Sequence, residues 1–390
     1  MIRALVVTSI LAADLLVASG ANAQARMTFI PSVSFGAVYD DNVFAHTDSS
    51  AGQMFQVRPS FEGNYESPTM TLLGLYSFDM QRSNFSSLNT LDARRHALGE
   101  VRLRTTPRTT LGFSGRYDRS ETPGDVNLDT GILGARRTAE RLQVTPSMFH
   151  RLGTRTLMTA GYDFTTESLI EDARGTMHTG RVGVSREWST RATLSATYVA
   201  RYFVDGIDSH TSNAALFGWH YMLAPGTRVE VRAGPRVTSY RGLAPEVSAG
   251  FGRTTPRIRL GLDYWHGETI ILGIRGPVAV DSGTVRVSWP LTRSLEFGTS
   301  AGISDVITLD QREAQVYRGT LISSWTPRGS MFTVAASYGI DYQQGEIRRN
   351  FSAEENVLRH VIRVSLTVAP RLSRSILPPE EAARAKGVLR

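Results

Sequence analysis

From Arg94 to Arg119 the chain alternates with a period of two. Ala97, Gly99, Val101 and Leu103 share one parity, and His96, Glu100, Arg102 and Arg104 share the other. After Thr106-Pro107-Arg108 the alternation resumes, with Leu111, Phe113, Gly115 and Tyr117 set against Thr110, Ser114, Arg116 and Asp118. Period two predicts extended strands whose two faces meet different surroundings. One face here is wholly apolar and the other carries full charges. The stretch therefore reads as a tight antiparallel hairpin standing between an apolar medium and water.

The hairpin recurs. Short turns that set a small residue or proline beside arginine are Thr106-Pro107-Arg108, Gly153-Thr154-Arg155, Ser189-Thr190-Arg191, Gly226-Thr227-Arg228, Thr255-Pro256-Arg257, Leu291-Thr292-Arg293 and Thr326-Pro327-Arg328. Glu66-Ser67-Pro68-Thr69 precedes them as a divergent copy, and Ala369-Pro370-Arg371 closes the series. Between successive turns lie two strands and a longer polar loop, as at 40–52, 83–93, 120–136, 168–175, 205–210 and 343–355. A spacing of about 30 to 47 residues is a repeat period, and a propeller, a solenoid and a barrel could each carry it. A propeller blade divides that length among four short strands, and solenoid strands are only a few residues long. Strands of about 11 residues instead match the length that crosses a bilayer at the tilt of a barrel. The predicted fold is an all-β, antiparallel, up-and-down transmembrane β-barrel. Nine hairpins make about eighteen strands, and a register shift in the stretch HGETIILGIRGPVAVDS at 266–282 leaves sixteen open.

Aromatic placement agrees. Trp188, Trp219, Tyr221, Trp289 and Trp325 stand just before short turns. Tyr39, Phe78, Tyr117, Phe164, Tyr202, Tyr240, Tyr264 and Tyr342 stand toward the long-loop ends, all but Tyr240 on or near the apolar parity. Two aromatic rings bounding an apolar band mark the interfaces of a membrane barrel.

Composition alters this picture in three places. The 390 residues are 41% hydrophobic and 20% charged, with a mean hydropathy of −0.17. No stretch after the N-terminus approaches the ~20 apolar residues of a membrane helix, a limit that does not apply to a barrel. There is no cysteine, so disulfide and thiolate chemistry are absent. The N-terminus, with Arg3, the apolar Leu5 to Val17 and Ala21-Asn22-Ala23, reads as a secretory signal over residues 1–23. It implies a barrel at 24–370 and a periplasmic tail at 371–390, with the cell outer membrane as the location and its lipid as the surrounding medium.

The net charge is +7, and Lys386 is the only lysine. The basic residues are spread one or two per strand and form no patch, which argues against nucleic acid. Alternation instead places them inward. The expected pore-lining set is Arg58, Arg102, Arg104, Arg116, Arg181, Arg201, Arg228, Arg232, Arg236, Arg257, Arg259, Arg286, Arg318, Arg359 and Arg363. Inward acids are fewer: Glu62, Asp79, Glu100, Asp118, Glu230, Asp263, Glu296 and Asp341. An arginine at the bilayer midplane on the lipid face costs about 2–4 kcal/mol, so the inward assignment follows from energy. Some of these arginines serve as ion-pair staples, with Arg102 and Arg104 beside Glu100, and Arg228 and Arg232 around Glu230, as candidate ladders. The excess of arginine favours anions in the lumen.

The opening strand ending Tyr39-Asp40-Asp41-Asn42-Val43-Phe44, with the Leu-Thr-Arg and Thr-Pro-Arg turns, resembles the β-barrel porin 2 family. That family is similar in outline to outer-membrane barrels encoded with exopolysaccharide export systems, and the alginate export porin is the functional analogy. The resemblance implies a channel for an acidic polysaccharide or another anionic solute, with periplasmic export proteins as partners. It departs at the end: such barrels finish on an aromatic residue, whereas here the last strand, Val357 to Val368, is followed by a polar tail that includes Pro378-Pro379-Glu380-Glu381.

Catalytic patterns are sparse. The eight histidines are scattered without metal spacing, and no G-x-S-x-G occurs; a Ser–His pair assembled across strands is the arrangement left open. Asp125, Asn127 and Asp129 before Gly131 have the flavour of a calcium loop, but the glycine is one place late and Arg136 stands where a glutamate is needed. Turn chemistry accounts for them better, as it does for Asp40-Asp41-Asn42. No enzyme activity, metal or cofactor is expected. The two functions in view are an anion or acidic-exopolysaccharide channel, and a non-conducting structural component of an envelope export complex whose lumen is closed by the loop at 120–136.

Overall fold

A computed structural model describes residues 25–45, 49–121, 130–133, 136–169, 174–206, 208–345 and 356–370. The signal at 1–23, the tail at 371–390 and Asp125, Asn127 and Asp129 lie outside the described residues.

Eighteen strands follow one another. They begin with β1 (Arg26–Asp40), β2 (Gly52–Glu66), β3 (Met70–Ser83), β4 (Thr90–Thr106), β5 (Thr109–Ser120) and β6 (Ala139–Arg151). Next come β7 (Thr156–Leu169), β8 (Arg174–Glu187), β9 (Ala192–Val204), β10 (Ser209–Ala224), β11 (Thr227–Thr238) and β12 (Gly242–Thr254). The circuit is completed by β13 (Arg259–Thr269), β14 (Val278–Pro290), β15 (Leu295–Ile307), β16 (Glu313–Trp325), β17 (Phe332–Gln344) and β18 (Asn356–Val368). Each pairs antiparallel with its sequence neighbour, and β1 pairs with β18 from Val33↔Val368 to Asp40↔Val361. The sheet is a closed, eighteen-stranded, up-and-down barrel. The stretch at 266–282 resolves as the top of β13, a loop and the start of β14, which settles eighteen over sixteen. Strands run from 11 to 17 residues, and most exceed the roughly 9–11 residues that a bilayer crossing requires.

The short turns explain the recurring hydroxyl residue beside arginine. Thr255 Oγ1 accepts from Ile258 N at 3.0 Å, Thr292 Oγ1 from Leu295 N at 3.0 Å, and Ser189 Oγ from Ala192 N at 3.0 Å. A side-chain oxygen thereby closes the chain reversal that the backbone would otherwise leave unpaired.

Register carries parity from strand to strand. Val101 faces Phe113, Leu103 faces Leu111, and Ala97 faces Tyr117; this set is outward and well exposed at Phe113 and Leu111. Trp219 and Tyr221 (stacked, centroids 5.3 Å apart), Trp289 and Trp325 point outward at the short-turn end, and Trp188 follows the last residue of β8 in its turn. At the other end His178 sits between Phe164 and Tyr202, with centroids 5.2 and 6.1 Å away, and Tyr317 sits 6.0 Å from Tyr342. Tyr240 departs from this ring. It lies in the β11–β12 turn and donates to Glu268, and burial, reinforced by that carboxylate, raises its phenol above the ordinary value. On β16 the rings are eight residues apart, Tyr317 to Trp325. At about 3.3 Å per residue and a tilt near 40° they bound an apolar belt of roughly 20 Å. A closed barrel wearing such a belt resides in the outer membrane.

Candidate functional site

The inner wall is the other parity. Register places Arg58, Arg102, Arg104, Arg116, Arg181, Arg201, Arg228, Arg232, Arg236, Arg259, Arg286, Arg318, Arg359 and Arg363 on it. Arg257 is the exception. It lies exposed in the β12–β13 turn, because Thr255 closes that turn and β13 begins only at Arg259.

The inward arginines fall into two groups by height. Toward the long-loop end they are buried and paired. Arg201 grips Glu246 with two bonds, Nη1 to Oε2 at 2.8 Å and Nη2 to Oε1 at 2.6 Å. Arg236, with a side chain 3% exposed, approaches Glu268 at 3.3 Å. Arg116 holds Asp118 at 2.5 Å, Arg141 lies 3.2 Å from Glu167, and Arg359 holds Asp40 at 2.6 Å. These are staples: a buried guanidinium needs its carboxylate to offset desolvation. At mid-height Arg58 forks onto Asp79, with bonds of 2.5 and 2.6 Å.

Toward the short-turn end the arginines open to the lumen. Arg102 is 57% exposed although it touches Glu100 at 2.5 Å. Arg232 and Arg286 are similarly open while contacting Glu230 and Asp263, and Arg259 reaches Glu296 at 2.8 Å. Arg104, Arg181 and Arg228 are exposed and have no ion pair among the described residues. Of the two ladders expected from sequence, Arg102–Glu100 and Arg232–Glu230 are present within single strands, while Arg104 and Arg228 stand apart from them. Most other pairs cross between strands.

Sequence reasoning missed several inward acids: Asp40, Asp163, Glu167 and Glu246. Asp40 combines two roles, since its Oδ1 accepts from Asn42 N at 3.1 Å, as an Asx turn requires, while the same carboxylate takes Arg359. Asp163 accepts from Gln143 and Thr145, both at 2.7 Å.

Two straps fold into the lumen: one belongs to the loop at 120–136 that the sequence offers as a lumen closure, and the other, at 270–277, the sequence pattern concealed. Segment 130–133, between β5 and β6, reaches nearly across the ring. Arg318 Nη2 donates to Gly131 O at 3.2 Å, Leu133 N donates to Gln343 Oε1 at 2.8 Å, and Leu133 packs with Ala45 and Val357. Segment 270–277, between β13 and β14, reaches the opposite way, and its Leu272 packs with Ala139 of β6 and Leu169 of β7. The straps meet where Ile132 joins Ile271 and Ile274 in one buried cluster with Val278, Val280, Val306, Ala314 and Val316. The wall is thus apolar where the straps lie on it, and a separate inward apolar patch, Leu75 and Leu98 with Leu73, sits on β3 and β4. Trp265 packs inward against the strap cluster, unlike the girdle tryptophans. The available signal was the run Ile270-Ile271-Leu272 in a place that strand counting makes a loop.

Beside the straps a cavity of about 220 Å³ remains against β1–β4 and β16–β18, bordered by Gln56, Asp79, Arg318, Asp341, Arg359 and Arg363. Five of the seven described histidines, His96, His150, His178, His266 and His360, bond to Asp118, Thr109, Tyr162, Asp281 and Tyr338.

No family model and no curated protein matches the chain, including any for the family resemblance drawn from Tyr39–Phe44. Among solved structures, Pseudomonas aeruginosa OpdQ is 12% identical, with 87% of this chain and 98% of that one covered and a TM-score of 0.47. Pseudomonas aeruginosa OccK2 (OpdF) in complex with glucuronate is 12% identical, with 88% and 98% covered and a TM-score of 0.47. Pseudomonas aeruginosa OpdK with vanillate is 11% identical, with 87% and 98% covered and a TM-score of 0.45.

Proposed function

We propose that this barrel is an outer-membrane channel for small anionic solutes, delivered by a cleaved signal at 1–23. The observation that carries the reading is the group of lumen-open arginines in the short-turn half: Arg102, Arg104, Arg228, Arg232, Arg259 and Arg286. Positive charge facing water inside a low-dielectric wall raises the local concentration of anions and repels cations. An eighteen-stranded ring is wide enough for an aqueous path. Small solutes fit better than an acidic exopolysaccharide, because the two straps reach into the lumen and pack together there; a polymer would have to displace both. The tail at 371–390 is assigned to the periplasm, since the barrel's last strand ends on the short-turn side.

The test is reversal-potential measurement in planar bilayers. The wild type should pass anions in preference to cations, and changing Arg102, Arg104 and Arg259 to serine should lower the permeability ratio. An unchanged ratio would sink the assignment of selectivity to these residues. The buried cluster that joins Ile132 of one strap with Ile271 and Ile274 of the other favours a second reading, a closed structural barrel in an export complex. An intact barrel that conducts nothing under any condition would support it.

A further inference from the structure

We infer that Arg318 is an anion-sensitive latch: a carboxylate-bearing solute arriving in the side cavity competes for its guanidinium, releases Gly131 and lets the two straps part. The inference rests on the anion-channel reading and adds a regulation of the same lumen.

Three observations meet at this residue. Arg318 stands on β16 between Val316, which is covered by the straps, and Thr320, which borders the cavity. Its Nε donates to Asp341 Oδ1 at 2.7 Å, and its Nη2 donates to the carbonyl of Gly131 at 3.2 Å. The side chain is 36% exposed, so a solute in the cavity can reach it. Gly131 is fitted to this contact. Its φ is +68°, and a Cβ added there would come within 3.2 Å of Arg318 Cζ. Glycine adopts that conformation without strain and lets its backbone lie close against the guanidinium.

The chemistry sets the direction of exchange. Gly131 offers only a neutral carbonyl at 3.2 Å, whereas a carboxylate adds an opposite full charge and can accept from the guanidinium at two oxygens, a shorter and stronger pairing. An anion therefore binds better to the released state, in which Nη2 is vacant, than to the latched one. That differential affinity is what a ligand needs to shift a conformational equilibrium. Release matters because Ile132, the next residue, is where the strap joins Ile271 and Ile274.

The experiment uses the full chain in planar bilayers, with gluconate as the probe against a chloride background. Wild-type channels should open more often when gluconate is added on the long-loop side. Arg318→Lys keeps a positive charge for Asp341 but not the fork that holds two partners. It should open about tenfold more often without gluconate, from loss of one charge-assisted bond, should respond little to gluconate, and should keep its anion preference. Arg318→Gln should also open freely, and heat-dependent gel mobility verifies that both variants fold. Because the chain has no cysteine, Ile132→Cys with Ile274→Cys can be bridged by a short bis-methanethiosulfonate reagent. Bridging should abolish the gluconate response, and reductant should restore it. Anion-selective channels whose opening ignores gluconate, Arg318→Lys and the bridge would overturn the latch while leaving the channel reading intact. Cation preference in the wild type would overturn the channel reading itself.

Discussion

The seam between β1 and β18 closes the barrel, and Asp40 is its buried ionic fastening. The side chain of Asp40 is fully buried and that of Arg359 is 11% exposed. Two arginine nitrogens engage the carboxylate: Nε to Oδ1 at 3.1 Å and Nη2 to Oδ2 at 2.6 Å. Around them Asp41 Oδ1 accepts from His360 N at 2.6 Å, and Asn42 Nδ2 donates to Leu358 O at 3.2 Å. Asp40→Ala removes the carboxylate shared by two nitrogens of the nearly buried Arg359 guanidinium and the acceptor for Asn42 N. Breaking one half of such a pair costs about 3–5 kcal/mol, a large share of ordinary stability. Asp40→Asn keeps size and the Asx acceptor, so roughly half that loss is expected, since about 1–3 kcal/mol attaches to an unsatisfied buried partner. Asp40→Ala combined with Arg359→Met should recover most of the loss, because an apolar replacement of a buried pair is often neutral. The assay is urea unfolding of the refolded barrel in micelles followed by tryptophan fluorescence, with amide exchange on β1 and β18 as the local readout. A loss below about 1 kcal/mol for Asp40→Ala, or a double variant as weak as Asp40→Ala alone, would refute the reasoning.

Three further outcomes follow from the wall. Leu321 faces lipid midway between Tyr317 and Trp325, whereas Thr320 faces the lumen; Leu321→Arg should cost about 2–4 kcal/mol and Thr320→Arg far less, measured by the same unfolding assay. With the other tryptophans changed to phenylalanine, Trp325 should be quenched by brominated lipid, while Trp265, packed inward against the strap cluster, should not. Gly226 turns β10 into β11 at φ +75°, and an added Cβ would meet Thr254 O at 2.3 Å. Gly226→Ala should therefore lower stability by more than ~1 kcal/mol, visible as a lower midpoint in urea.

Much of the architecture was written in the sequence because period-two alternation is local. Whether Leu111 and Thr110 face opposite sides depends only on the pleat, and where Thr255 or Thr292 reverses the chain depends only on a hydroxyl and the backbone three residues on. From these followed the hairpins, eighteen strands, two faces and the inward parity of Arg58, Arg102 and Arg318. Arg257 escaped the pattern for the same local reason: the Thr255 turn holds it off the strand.

What required the tertiary structure was every relation between residues far apart along the chain. Asp40 could find Arg359 only when β18 came round to β1. Arg201 and Glu246 face each other across two intervening strands, a distance that register and barrel curvature set and no spacing encodes. Ile132, Ile271 and Ile274 meet inside the ring because their loops enter from opposite walls, so loops that looked like rims became the floor of the upper lumen. Exposure is likewise collective. Arg102 and Arg236 share a parity, yet one opens to water and the other is sealed among acids, because alternation determines which way a side chain points and the closed barrel determines what it meets there.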